Sequence, residues 1–207
     1  MKILCTATVN ATAALLAVIA AIPLGAGCQS ESGTATTEQI ETGRVRLPGG
    51  NEVVYRIRLL PLTSFPALPA IVAAQLEERK CMIPQTYEAR APENVVRASL
   101  ERKGSDDWAV LCSVNGGTTL YVFFQSALGK PVVLRHQRDT EWLGSEVLGA
   151  YGSAWGISRR SASQIRLPGD AGHLSADHDG IEDTFVEKSS TTHYFQNGSW
   201  MNVEGTN

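Results

Sequence analysis

The stretch Asp106–Phe124, DDWAVLCSVNGGTTLYVFF, constrains the fold more than any other part of the chain. Trp108, Val110, Cys112 and Val114 alternate with Ala109, Leu111 and Ser113, so both sides of an extended segment are largely apolar. A strand covered on both faces has that composition. Asn115-Gly116-Gly117 supplies residues that tolerate positive φ in a tight turn, and Thr118–Phe124 returns with β-branched and aromatic side chains. A buried hairpin at the centre of the fold is expected.

Other turn signals divide the rest of the chain into short extended runs. Arg44–Leu47 and Glu52–Leu60 flank Pro48-Gly49-Gly50-Asn51 and read as a first hairpin. In its second arm Tyr55, Ile57 and Leu59 alternate with Arg56 and Arg58, two arginines that serve as a solvated strand face or a binding strip. Helical spacing occurs once, at Ala67–Lys80, where Leu68, Ile71, Val72 and Leu76 fall on one side, with Pro69 near the start and Arg79-Lys80 at the end. Pro84 stops any continuation. Val95–Leu100, Val132–Leu134, Trp155–Arg159 and Gln164–Leu167 read as strands, the last closed by Pro168-Gly169, while Arg135–Tyr151 gives no legible pattern. Thr184–Glu187, Thr192–Phe195 and Trp200–Val203 follow, the last two joined by Asn197-Gly198. The spacing predicts an α+β domain, mainly an antiparallel β-sheet with one amphipathic helix over about 67–80.

The amino terminus addresses location. Met1-Lys2 precedes an apolar run from Ile3 to Ile22, and Pro23-Leu24-Gly25-Ala26-Gly27-Cys28 offers small residues for cleavage. A retained transmembrane anchor is the competing reading of some 20 apolar residues. Leu24–Cys28 resembles the bacterial lipobox, with Gly25 where the family places an aliphatic residue. That resemblance implies lipidation (palmitate) at Cys28, a membrane partner through the lipid, and outer-membrane sorting in a diderm host because Gln29 follows the cysteine. If the lipobox is not used, secretion is expected. The division is then an export signal over 1–27, a flexible tether over 28–42, rich in Ser, Thr and Glu, and a single domain over 43–207.

Cysteine usage follows from this location. With Cys5 in the signal and Cys28 lipidated, Cys81 and Cys112 remain as a pair in an oxidising space. A disulfide between them is expected, two buried thiols or a catalytic cysteine being the alternatives. Closing such a loop constrains the unfolded chain by roughly 3–4 kcal/mol in the chain-entropy model.

One cluster resembles a site. Asp177-His178-Asp179-Gly180-Ile181-Glu182-Asp183 alternates acidic residues around a glycine, the pattern of an oxygen-ligating calcium loop, with Asp177, Asp179 and Asp183 as ligands and the Ile181 carbonyl beside them. An acidic turn leading into a strand is the plainer reading. Ser175 stands where an EF-hand needs its first carboxylate and Val186 where it needs its last, so that motif is excluded. Ser175–Asp183 with Thr184-Phe185-Val186, and Ser99–Asp107 with Trp108-Ala109-Val110, resemble the strand-loop-strand units of FG-GAP and VCBS repeats. Lys103 occupies a ligand position in the Ser99–Asp107 segment and repels calcium there. The resemblance implies a related design and no activity.

Catalytic patterns are missing. His136, His173, His178 and His193 form no HExxH or i, i+4 pair, and the sequence holds no GxSxG, GxxxxGK[ST] or GxGxxG motif. Trp142, Trp155, Trp200, Tyr121 and Tyr194 suit core packing or a ligand groove. The formal charge is −3, and removal of Lys2 with the signal leaves 17 basic against 21 acidic residues, or −4, with no basic run for nucleic acid. The expected function is a non-enzymatic envelope lipoprotein that recognises a protein or glycan. The alternatives are an envelope hydrolase using His178 or a calcium-stabilised module, with His178 and Glu182 on the binding rim.

Overall fold

The computed structural model describes residues 37–145, 149–169 and 172–204. The export segment, Cys28 and the tether up to residue 36 lie outside the described residues. Strand β1 (Gln39–Arg46) pairs antiparallel with β2 (Glu52–Leu60), so the first described strand starts four residues before the expected Gly43. The early start has a pairing reason: Gln39, Ile40, Glu41 and Thr42 lie opposite Leu59, Arg58, Ile57 and Arg56, and the polar segment is held by a partner strand whose other face is apolar. Gly43 sits under the ring of its cross-strand neighbour Tyr55, where a Cβ would come within 2.7 Å of the hydroxyl.

A 3-10 turn at Leu62–Ser64 leads to helix α1 (Ala70–Glu78), shorter than the expected 67–80. Pro69 is the N-cap, and Ile71, expected on the apolar side, is 49% exposed while Val72 and Leu76 are fully buried. The chain leaves the helix through a Schellman motif: the Cys81 amide donates to the Leu76 carbonyl and the Lys80 amide to Glu77. Lys80 takes the left-handed position, φ 59°, that such a cap requires. Next, β3 (Ile83–Gln85) pairs with β2.

The central hairpin forms as expected. β4 (Val95–Ala98), β5 (Asp107–Val114), β6 (Gly117–Phe123) and β7 (Val132–Arg138) make a four-stranded antiparallel meander, with Asn115 and Gly116 at φ 52° and 78° in the two-residue turn. Alternation along β5 divides the core. Trp108, Val110 and Cys112 pack with Leu68, Val72 and Leu76, below the helix. Ala109 and Leu111 pack with Trp155, Ile157 and Ile181 on the opposite side. The Cys81–Cys112 disulfide, Cα–Cα 5.3 Å, joins the helix exit to β5.

The region without a legible pattern continues β7 and adds β8 (Leu143–Ser145) and β9 (Tyr151–Ser153), which extend the first sheet in the order β1-β2-β9-β8. Tyr151 lies opposite Tyr55 in the one parallel pairing among the described strands. β10 (Trp155–Arg160), β13 (Gly180–Phe185), β14 (Ser189–Gln196) and β15 (Ser199–Glu204) form a second four-stranded meander, and β11 (Arg166–Gly169) with β12 (Gly172–Ser175) a separate ribbon. Pro168 and Gly169 are the last two residues of β11, paired with His173 and Gly172. The fold is α+β and mainly antiparallel, with a single α-helix among the described residues.

Candidate functional site

The acidic cluster does not converge. Gly180 already belongs to β13, four residues earlier than the expected strand at Thr184, so side chains from there onward alternate across a sheet instead of turning inward around an ion. Ile181 is fully buried and its backbone is flanked by Arg159 and His193 on the neighbouring strands. Asp177, Asp179 and Asp183 each serve a different partner. Among the described residues no three metal-ligating side chains gather.

Asp177 is exposed and accepts a 2.7 Å hydrogen bond from the Tyr194 hydroxyl, with His178 Nδ1 at 2.6 Å. These two contacts, the tyrosine first, hold its carboxyl below the usual range. Burial, followed by the hydrogen bond to Asp177, pushes the Tyr194 phenol up to about 12. His178 is buried, its ring stacked on Tyr194 at 4.4 Å, and its Nε2 donates to the Phe195 carbonyl at 2.8 Å. Both ring nitrogens are engaged, which disfavours His178 as a general base and removes it from any rim. Asp179 accepts from Arg159 at 2.9 Å and from the Ser99 amide at 3.1 Å, and its own amide donates to the Ser99 carbonyl. Glu182 faces Ser158 and Arg160 across β10.

Asp183 turns to the opposite face and is buried. It accepts from Trp155 Nε1 at 2.7 Å and from Arg135 at 3.1 Å, with His193 Nε2 at 2.9 Å, while His193 Nδ1 meets Asn202 Oδ1 at 2.8 Å. Arg135 lies over Trp142, which stacks on Trp155. This is a network in which both oxygens of the carboxylate are engaged, the form in which a buried carboxylate is tolerated. Trp155 and Tyr194 are buried, and Trp200 stacks on Phe124, so these aromatics serve packing.

One opening among the described residues is a cleft of about 730 Å³ beside the disulfide. β1 contributes Gln39 and Glu41, the end of β2 and the following turn contribute Leu59, Pro61, Leu62 and Thr63, and the helix exit contributes Glu77, Lys80, Cys81 and Met82. Ser113, Val114, Asn115 and Gly116 from the central hairpin close the other side. Its walls are stiffened by specific contacts. The hairpin turn is pinned by Asp139, which is buried, accepts from the Ser113 and Thr118 hydroxyls, and donates its amide to the Gly116 carbonyl. On the other side Tyr55 donates to Glu41 at 3.3 Å; burial and then Glu41 raise the phenol's pKa and keep it a neutral donor.

The cleft thus presents two carboxylates, an ammonium group and a turn backbone around an apolar floor. Such a surface can hold a ligand by contact and hydrogen bonds. Its cysteine sulfur is in the disulfide, its other sulfur is the Met82 thioether, and its serine hydroxyl is committed to Asp139. Sequence reasoning missed this site because its residues come from four separate elements. The Pro61–Pro66 break and the Asn115-Gly116 turn were legible, but nothing local shows that they meet.

No family model matches the chain, and none of the curated proteins or solved structures matches it.

Proposed function

We propose that the protein is a lipid-anchored recognition module of the cell envelope that binds a segment of a protein or glycan in the cleft between β1, the helix exit and the central hairpin. The observation that carries this reading is the cleft itself: a sizeable mixed polar and apolar hollow, with walls fixed by the Cys81–Cys112 disulfide and by Asp139. Rigid walls reduce the ordering cost of binding. Support for binding over turnover comes from the acid and histidine side chains already described: His178, Asp179, Asp183 and His193 are spent on internal partners. The anchor rests on the lipobox-like Leu24–Cys28 segment, with more than one acyl chain expected to hold the chain stably on a bilayer.

Two measurements test this reading. Cells fed a tagged fatty acid should label the wild-type chain in the membrane fraction and leave Cys28→Ser unlabelled; equal labelling removes the anchor. A partner retained by the wild type from native envelope should be lost from Thr63→Trp, which fills the cleft mouth, and kept by Ser158→Trp on β10. Equal retention by both variants places recognition elsewhere.

A further inference from the structure

The outward face of the first hairpin carries a charge pattern that the cleft does not use. In the β1–β2 register Ile40 lies opposite Arg58, Thr42 opposite Arg56, Arg44 opposite Val54 and Arg46 opposite Glu52. These residues share one side of the ribbon, since the side-chain period of a strand is two. The alternate set, including Val45, Tyr55, Ile57 and Leu59, packs inward against Met82, Leu143 and Tyr151. Four of the chain's 18 basic residues therefore collect on two strands of a net acidic protein. Between them stand Ile40 and Val54, 45% and 50% exposed.

Only part of this charge is answered internally. Arg44 meets Glu52 at 3.2 Å and Arg58 meets Glu38 at 2.9 Å, both on the surface. Among the described residues Arg56 makes no salt bridge, and Arg46 makes none although it lies opposite Glu52, which Arg44 bonds. No arginine lies directly opposite another, but Arg44 and Arg56 are diagonal neighbours across the two strands, and an anionic surface relieves their repulsion. Guanidinium groups fit phosphate oxygens bidentately, and exposed aliphatics between them suit a headgroup layer.

The position of the hairpin in the chain selects the occupant. Ten residues separate Cys28 from Gln39, and at roughly 3.3–3.6 Å per residue they reach at most about 35 Å. We infer that the β1–β2 face bearing Arg44, Arg46, Arg56 and Arg58 docks on the anionic phosphate headgroups of the membrane that holds Cys28. This inference rests on the anchored reading above. Because Gln39 and Glu41 on the same strand point to the cleft, docking would also fix the orientation of the cleft relative to the membrane.

The experiment uses the full lipidated chain in vesicles of phosphatidylcholine alone or with phosphatidylglycerol, and follows arginine modification by phenylglyoxal at each peptide. Modification of Arg46 and Arg56 should slow about fivefold or more in the anionic vesicles and recover in high salt, because exposed charge contacts are screened there. Arg90 and Arg102, exposed on other segments, should react equally in both. Equal rates at Arg46 and Arg56 in both vesicles overturn the docking face while leaving the anchor intact. Equal protection in both vesicles overturns it too, because something other than anionic headgroups then covers the face. Failure of the chain to float with either vesicle overturns the anchored reading, and the docking face with it.

Discussion

Asn94 is the residue on which most separate parts depend. It is buried at φ 70°, a left-handed conformation that asparagine tolerates better than most residues. Its Nδ2 donates to the Pro84 carbonyl at 2.7 Å and to the Trp155 carbonyl at 3.2 Å, its Oδ1 accepts from the Ile157 amide, and its own carbonyl accepts from the Leu111 amide. One side chain thus ties β3 and β10 together while its backbone holds β5. Asn94→Ala leaves buried backbone groups unpaired and strains the backbone, at a cost of about 3 kcal/mol. For a domain of this size that lowers the melting midpoint by roughly 6–12 °C. Asn94→Asp should be worse, since it turns a carboxylate toward two carbonyls; a thermal melt that ranks the two variants the other way contradicts this account of the site. Nothing in the sequence marked Asn94, because its partners lie 10, 61 and 63 residues away. The tyrosines give a second test at this scale. Burial, then Glu187 for Tyr87 and Asp177 for Tyr194, pushes both phenols up to about 12, and the folded state therefore favours their neutral form. Their contribution is complete below the unfolded value near 10 and is lost as pH rises from there through about 12. In a spectroscopic titration of the five tyrosines these two should ionise late, near pH 12. Removing one of them by Tyr194→Phe should delete part of that late phase, and an unchanged late phase would show that other phenols supply it.

At the level of elements, the legible features were those whose signal is local. The two-faced composition of Trp108–Val114 and the Asn-Gly turns at Asn115 and Asn197 specify hairpins through neighbouring residues alone, and both turns have the expected positive φ at asparagine and glycine. The helix was legible in place but not in extent. Leu68 is buried from the turn before the helix, and Ile71 fits the spacing yet faces solvent, because one short helix covers β5 mainly through Val72 and Leu76. The acidic cluster, for which an acidic turn leading into a strand was the plainer reading, shows a related limit. Its Gly180 suggests a loop, but it lies where a Cβ would come within 2.9 Å of the His193 carbonyl, so the glycine serves strand packing. At the helix exit, Lys80 occupies a position that glycine fills with less strain. Lys80→Gly should stabilise the fold by about 1 kcal/mol, raising the melting midpoint by roughly 2–4 °C. A lowered midpoint would mean that the lysine side chain contributes more than its backbone costs.

Across the whole molecule, two antiparallel meanders meet through the loops that precede their second strands. Asp107, at the head of β5, is fully buried and accepts the Leu100 and Glu101 amides at 2.7 Å each, which closes the first loop on itself. Asp179 in the second loop exchanges backbone and side-chain bonds with Ser99 in the first, and Arg159 covers the pair. The two segments that resembled strand-loop-strand units are therefore used for assembly, with Arg159 in place of an ion at Asp179. With the acidic residues occupied in this way, the proposed function rests on a different set of residues, where the helix exit, β1 and the central hairpin line a cleft. The most direct test compares the two regions in one experiment: a photoreactive amino acid placed at Thr63 or at Asp177 of the full chain in its native envelope. The account predicts a reproducible cross-linked protein or glycan from position 63 and none from position 177. Cross-linking from 177 alone, or the same product from both positions, would contradict it.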